Sequence, residues 1–447
     1  MGSLRRTTEL GLLVLAGLIT AGAYVLASLG RTASIPANVG PFLGVVLGLL
    51  LAAHLAVRRL APSADGLLLP LAGLLNGLGY VMITRLNERL AGLQATWTAI
   101  GVGAFVATLV VVRRSRVLDR YRYTLGLAGV LLLVAPLVPF VGRTINGSRI
   151  WVRVGPVNFQ PGEFAKIALA VFIAAYLVER RELLAVSTSR LGPLMLPDPR
   201  ALGPLLAAWA LSLSVMVFER DLGSSLLFFT LFVVLLWLAT ERIAYLLAGL
   251  TLFAGGAYFS WRVFSHVQQR VDIWLDPWAD PRGKGYQPIE ALFSLAEGGA
   301  AGVGLGLGQP NRIPAVSTDF IFAAIGEELG LVGATAVILA YVLMVGAGFR
   351  VAVRAEAPFD KLLAAGLTTL LGVQSFIIMG GVVRLLPLTG VTLPFVSYGG
   401  SSLLANYVLL ALLLRISDET AARQRERLAQ SAAGSAAAPT TMVRVVD

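Results

Sequence analysis

The chain has 447 residues, 57% of them hydrophobic and 14% charged, and a mean hydropathy of +0.79. A soluble protein of this length needs far more polar surface, so the excess of 36 Lys+Arg over 25 Asp+Glu is read as membrane topology and not as a nucleic-acid surface. Cysteine is absent and the histidines are His54 and His266 alone, which excludes disulfide and thiolate chemistry and argues against zinc.

Apolar runs long enough to cross about 30 Å of hydrocarbon recur along the whole chain. Twelve spans are expected, near 10–29, 40–57, 66–83, 94–112, 122–141, 162–179, 202–218, 222–239, 242–262, 321–349, 360–384 and 395–416. The alternating segments of roughly ten residues that mark a β-barrel are not evident. The fold class is therefore all-α, a polytopic membrane helix bundle. The first run follows Arg5 and Arg6, exceeds a signal-peptide core and precedes another span, so it reads as an uncleaved anchor. His54, in the second span, reads as a packed or interface residue. Arginines gather in alternate loops, among them Arg58 and Arg59, the run from Arg113 to Arg122, Arg180, Arg200 and Arg350. That bias assigns these loops and both termini to the cytoplasmic side.

Two long loops then face the other side. The first, 142–161, reads GRTINGSRIWVRVGPVNFQP and holds Arg143, Arg149 and Arg153 against the positive-inside bias. The second, about 263–319, contains YQPIEALFSLAEGG, in which Ile289, Leu292, Phe293 and Ala296 recur at helical spacing. This predicts a short amphipathic helix at the interface. The glycine run that follows, GGAAGVGLGLG, lacks the Walker spacing and its Lys-Ser/Thr ending, and reads as a flexible turn. The tail from residue 418 to 447 reads as disordered and cytoplasmic. No internal repeat supports an inverted-repeat transporter.

Chemistry-bearing residues concentrate on the same side as the long loops. Asp319 sits where the second loop meets an apolar helix. It is either a helix cap or a general base, and the second role needs its pKa raised from ~3.9 by partial burial. Glu327 and Glu328 lie about two turns further in and point about 100° apart, so at least one faces the bundle interior, for a structural hydrogen bond or for a cation or sugar. Gln160, Glu163 and Lys166 open the sixth span. Glu163 and Lys166 share a helix face and form either a packing ion pair or, with Arg143, Arg149 and Arg153, a phosphate site. Arg384, near the end of the eleventh span, reads as snorkelling. Ser397 and Ser401, in LPFVSYGGSSLL, offer hydroxyls at membrane depth or simply small packing residues. Residue type and placement imply a polar cavity for an anionic, lipid-tailed substrate, without choosing between catalysis and transport.

The runs FQPGEFAKIALAVF, WLDPWADPRGKGYQ, STDFIFAAIGEELGLVG and LPFVSYGGSSLL resemble, in order, the motifs of the SEDS family, which includes RodA, FtsW and SpoVE. The resemblance covers residues 66–417. It implies a ten-helix core, with 1–65 as an additional N-terminal pair of spans that most resembles the actinobacterial RodA branch. It further implies a peptidoglycan glycosyltransferase that polymerises lipid II on the outer face of the cytoplasmic membrane, for elongation and shape. Its essential acid corresponds to Asp319, its Glu and Lys to Glu163 and Lys166, and its partner is a class B penicillin-binding protein. Ser317 departs from the His that many relatives carry two places before the acid, and Gly162 from a frequent Ser. The expected reaction inverts the anomeric centre, with Asp319 as base, the 142–153 arginines and Lys166 on the diphosphate, and a divalent cation (Mg2+ or Mn2+) as a candidate aid. A lipid II flippase, a recruiting scaffold and an FtsW-like division role are the alternative readings.

Overall fold

The computed structural model of the chain describes all residues except 1, 35–38, 146, 156, 186–188, 192–193, 197–202 and 438–447. Arg200 and the last ten residues thus lie outside the described residues. Helices α1 (Gly2–Thr32) and α2 (Val39–Leu60) form an N-terminal pair, with α1 packed on α3 (Leu68–Leu86) and α2 on α4 (Glu88–Val111). A buried polar triad locks the pair. Arg6 is ion-paired with Glu9, whose other oxygen lies 2.8 Å from Nδ1 of His54. The Arg6 guanidinium also donates to the carbonyls of Ala61, Pro62 and Ala64. An unpaired charge inside a bundle costs several kcal/mol, which is why these three groups occur together.

Among the described residues, nine helices are long and apolar enough to cross a membrane. The other three expected spans are also helical. They are α6 (Arg122–Val134), prolonged by a 3-10 turn to Leu137, α7 (Gly162–Ala185), whose ends carry charge, and α8 (Gly203–Ser214), prolonged by the π turn Val215–Glu219. The chain is a multi-pass all-α membrane protein. The remaining long helices are α9 (Leu222–Thr240), α10 (Ile243–Val263), α13 (Ile321–Arg354), α14 (Pro358–Val382) and α15 (Gly400–Ala437). Helix α14 is the hub. It packs against α7, α9 and α13, and most of its side chains are buried. The peripheral α10 instead exposes Leu247, Leu250 and Phe253, as a lipid-facing helix does.

The 142–161 segment is more ordered than the expected loop. It is an antiparallel sheet of β1 (Gly142–Ile145), β2 (Ser148–Val154) and β3 (Val157–Phe159), in that order. Gly147 (φ 81°) and Gly155 (φ 60°) supply the left-handed residues of its two turns. The Asn-Gly and Gly-Pro pairs at those places are hairpin and turn signals that hydropathy conceals. At the other end of α6, a short helix α5 (Arg116–Arg120) precedes it. A small hairpin of β4 (Ser189–Leu191) and β5 (Leu194–Leu196) follows α7.

In the second long loop, the expected amphipathic helix is present as α12 (Tyr286–Gly298), with Ile289 buried and Phe293 exposed. It is preceded by α11 (Ser265–Leu275), which the sequence reading left as loop. The glycine run is not a flexible turn. Val303 and Gly304 donate to the carbonyls of Glu327 and Glu328 (3.0 Å each), and Leu331 donates to Gly299 (2.9 Å). This is where α13 kinks at Gly330, with φ 66° and ψ −168°. A β-carbon at Gly330 would lie 2.2 Å from the Gly302 nitrogen, so only glycine permits the two backbones to meet.

The tail also differs from expectation. Helix α15 runs through Ala437, held by ion pairs of Arg423 with Asp360 and Glu419 and of Arg427 with Glu356. The composition rich in Ala, Arg, Gln, Ser and Thr suggested disorder, but its Ala, Arg and Gln are also strong helix formers once one end is anchored.

Candidate active site

Asp319 lies in the turn that leads into α13. Phe320 occupies the cap position and makes no side-chain cap bond, so capping does not consume the Asp319 carboxylate. The turn is pinned from the α14–α15 connection. Tyr398 N donates to Ser317 O (2.8 Å), and Ser397 Oγ donates to Thr318 O (2.6 Å) while accepting from Leu393 N (2.9 Å). Ser401 Oγ accepts from Gln160 N (3.0 Å), tying the start of α7 to the same wall. Ser397 and Ser401 therefore hold the frame around Asp319.

The Asp319 side chain is half-buried. Loss of solvent pushes its carboxyl up to about 6, and nearby Asp221 adds to the rise. A hydrogen bond from Thr318 and the charge of Arg270 act in the opposite direction. Arg270, on α11, donates to Leu388 O. Gly390 has φ 76°, and a β-carbon there would lie 3.8 Å from Asp319 Oδ2 and 4.0 Å from Arg270 Nη2. A carboxylate and a guanidinium thus face one gap that glycine leaves open. Asp221 caps α9, accepting from Ser224 N (3.0 Å) and Ser224 Oγ (2.6 Å), and its charge acts on both Arg270 and Asp319.

Arg270, Asp221 and Gly390 are the residues the sequence reading missed. The Asp-x-x-Ser spacing at 221–224 is a capping signal that marks Asp221. Arg270 carries no local signal, because α11 becomes meaningful only where it docks. That docking is double: Arg384 Nη2 donates to Trp274 O (2.8 Å) and Trp274 Nε1 donates to Arg384 O (3.0 Å). Arg384 is therefore a clasp on α11 and does not snorkel.

Glu163 and Lys166 form a buried ion pair at 2.8 Å, and Lys166 Nζ also donates to Gln374 Oε1 (2.8 Å). Gln374 Nε2 in turn donates to Thr392 O (2.9 Å), two residues from Gly390. The cavity beside this pair holds about 10 Å³, no more than one water. Of the hairpin arginines, Arg149 is engaged with the carbonyls of Pro136 (3.0 Å) and Val138 (3.5 Å), and exposed Arg153 donates to Gly155 O (2.9 Å). Arg143 is exposed on β1. Ser148 Oγ donates to Arg220 O (3.2 Å), which sets the sheet against the hinge carrying Asp221.

Glu327 and Glu328 are occupied elsewhere. Glu328 is ion-paired with Arg85 and accepts from Gly306 N (3.0 Å), and Glu327 accepts from Gln309 N. Both are buried against the glycine run, so their visible contacts anchor that loop. Among the described residues no three His, Asp or Glu gather to hold a metal ion.

A family model described as "Cell cycle protein", covering FtsW, RodA and SpoVE, matches residues 67–422. The chain is similar to the peptidoglycan glycosyltransferase RodA of Mycobacterium bovis, 49% identical over 424 residues, 92% of this chain and 90% of that one. It is also similar to the probable peptidoglycan glycosyltransferase FtsW of Geobacter metallireducens, 34% identical over 326 residues, 72% and 84% of the two chains. Its fold matches a chain solved in work on the coordination of polymerization and crosslinking by a peptidoglycan synthase complex (TM-score 0.66, 27% identity, 80% of this chain and 98% of that one). It also matches the rod shape determining protein RodA of Thermus thermophilus (TM-score 0.56, 28% identity, 79% and 97%).

Proposed function

The chain belongs to the FtsW, RodA and SpoVE family and is a peptidoglycan glycosyltransferase; we propose that it polymerises lipid II with Asp319 as general base. The observation that carries this reading is the Asp319 carboxylate, free of any capping role, tuned to about 6 and sharing an open gap with Arg270. A base with that pKa is ionised at neutral pH yet strong enough to take a proton from a sugar hydroxyl as the bond forms. The acceptor 4-hydroxyl attacks the anomeric carbon of the lipid-linked donor while its proton passes to Asp319. The C–O bond to the polyprenyl diphosphate breaks on the opposite face, which inverts the centre without an enzyme-bound intermediate. Arg270 adds a fixed cation at this gap for the negative charge that develops on the diphosphate, and exposed Arg143 and Arg153 extend that positive field along the hairpin.

The arginine-rich loops lie at the opposite end of the helices from Asp319, which supports an extracytoplasmic catalytic face. Identity to RodA supports an elongation role, and the likeness to a synthase-complex chain supports a class B penicillin-binding protein as the partner that crosslinks the product. Purified full-length protein supplied with lipid II should yield glycan chains, with a rate that rises through about pH 6. In Arg270→Gln that rise moves to higher pH, because the charge that lowers the Asp319 pKa is gone. Translocation of lipid II without polymer would overturn the enzymatic reading, and an unshifted rise in Arg270→Gln would remove Arg270 from the site.

A further inference from the structure

At the arginine-rich end of the bundle, far from Asp319, the membrane-facing surface is not filled. A groove of about 640 Å³ lies between α6, α7, α8 and α9. That is within the range of roughly 300–1,000 Å³ that encloses small ligands. Its walls are apolar and aromatic. Phe172 lies 5.9 Å from the Tyr176 ring and 6.3 Å from the Tyr123 ring. The room comes from small residues, Gly203 and Ala207, where larger side chains would close it. At Gly126 a β-carbon would lie 2.7 Å from Phe172, so the ring rests directly on the α6 backbone.

The segment that leads into α6, one wall of the groove, is basic. Segment 113–122, RRSRVLDRYR, carries five arginines and one aspartate, and its helix α5 packs against α7. Arg122 is consumed locally, 3.4 Å from both Asp119 and Glu179, and stacked 5.4 Å from the Tyr123 ring centre. Tyr123 Oη donates to Glu179 (3.2 Å), so this acid is engaged by both Arg122 and Tyr123. Arg116, Arg120 and Arg180 are exposed, and no ion pair engages them among the described residues. Arg180 is one helical turn beyond Tyr176, a groove-lining residue.

We propose that this groove is a binding site for an anionic phospholipid, one acyl chain lying against Phe172, Tyr176 and Leu127 and the headgroup phosphate between Arg116, Arg120 and Arg180. Lipid is the material that surrounds a lateral groove in a spanning bundle, and the net positive segment leading into α6 selects the headgroup's sign. Tyrosines at the rim suit the boundary between chain and headgroup. Each free arginine near an anionic headgroup contributes about five-fold in affinity, and added salt weakens that contribution.

The test uses full-length protein reconstituted in phosphatidylcholine vesicles with phosphatidylglycerol, then extracted and its retained lipid counted by native mass spectrometry. The parent protein should retain phosphatidylglycerol over phosphatidylcholine. The exposed pair Arg116→Gln/Arg120→Gln should lower that preference about ten-fold or more. Ala207→Phe, which fills the groove and leaves the arginines in place, should lower retention of both lipids. A parent protein without preference, or variants that retain lipid as the parent does, would overturn the site.

Discussion

Asp319→Asn lowers lipid II polymerisation by about 10²–10⁴-fold, the range lost when a positioned general base is removed. The substitution preserves shape, so the turn held by Ser397 and Tyr398 remains, and the protein stays folded. Its stability moves the other way from its activity. The Asp319 carboxyl is raised from 3.8 to about 6, so the folded state binds this proton more tightly than the unfolded chain does. The stability that goes with the bound proton is fully present below about 3.8 and is lost as pH rises through about 6. Asparagine never ionises. The variant is therefore expected to melt higher than the parent near pH 8, with the difference shrinking towards pH 4. Thermal unfolding in detergent at the two pH values, beside product length on gels, checks both halves. Undiminished polymer from the variant would end the assignment of Asp319 as base.

Lys166→Ala is expected to damage the fold first. Lys166 and Glu163 are each 5% exposed and meet at 2.8 Å, so removing the ammonium leaves a carboxylate alone inside the bundle. Breaking a buried pair from one side costs about 3–5 kcal/mol, whereas removing both partners is far milder. The double variant Glu163→Ala/Lys166→Ala should thus recover most of the lost stability. It should not recover polymerisation, because Gln374 then lacks the contact that fixes Thr392 and the wall leading to Gly390. A stable double variant with normal product yield would confine Lys166 to packing. The small size of the cavity beside the pair argues for this indirect route over direct diphosphate binding in the state described.

Local physics determines much of this protein. Hydropathy identifies twelve helical segments, helical spacing identifies α12, and a three-residue separation already pairs Glu163 with Lys166. A carboxylate at the junction of a polar loop and an apolar helix is visible from the chain alone, which is how Asp319 is found. None of these needs a contact between residues distant in sequence. The working surroundings of Asp319 do. Arg270, Asp221, and Gly390 with Ser397 come from three separate segments, and their effect is set by through-space charge and by which solvent the packing removes. Glu327 and Glu328 show the same limit: as buried acids they resemble ligand groups, and only the docking of Arg85 and the glycine run reveals their partners. A buried charge must be compensated, but the sequence does not say by whom, since that choice is made by helices that meet only after the bundle has assembled.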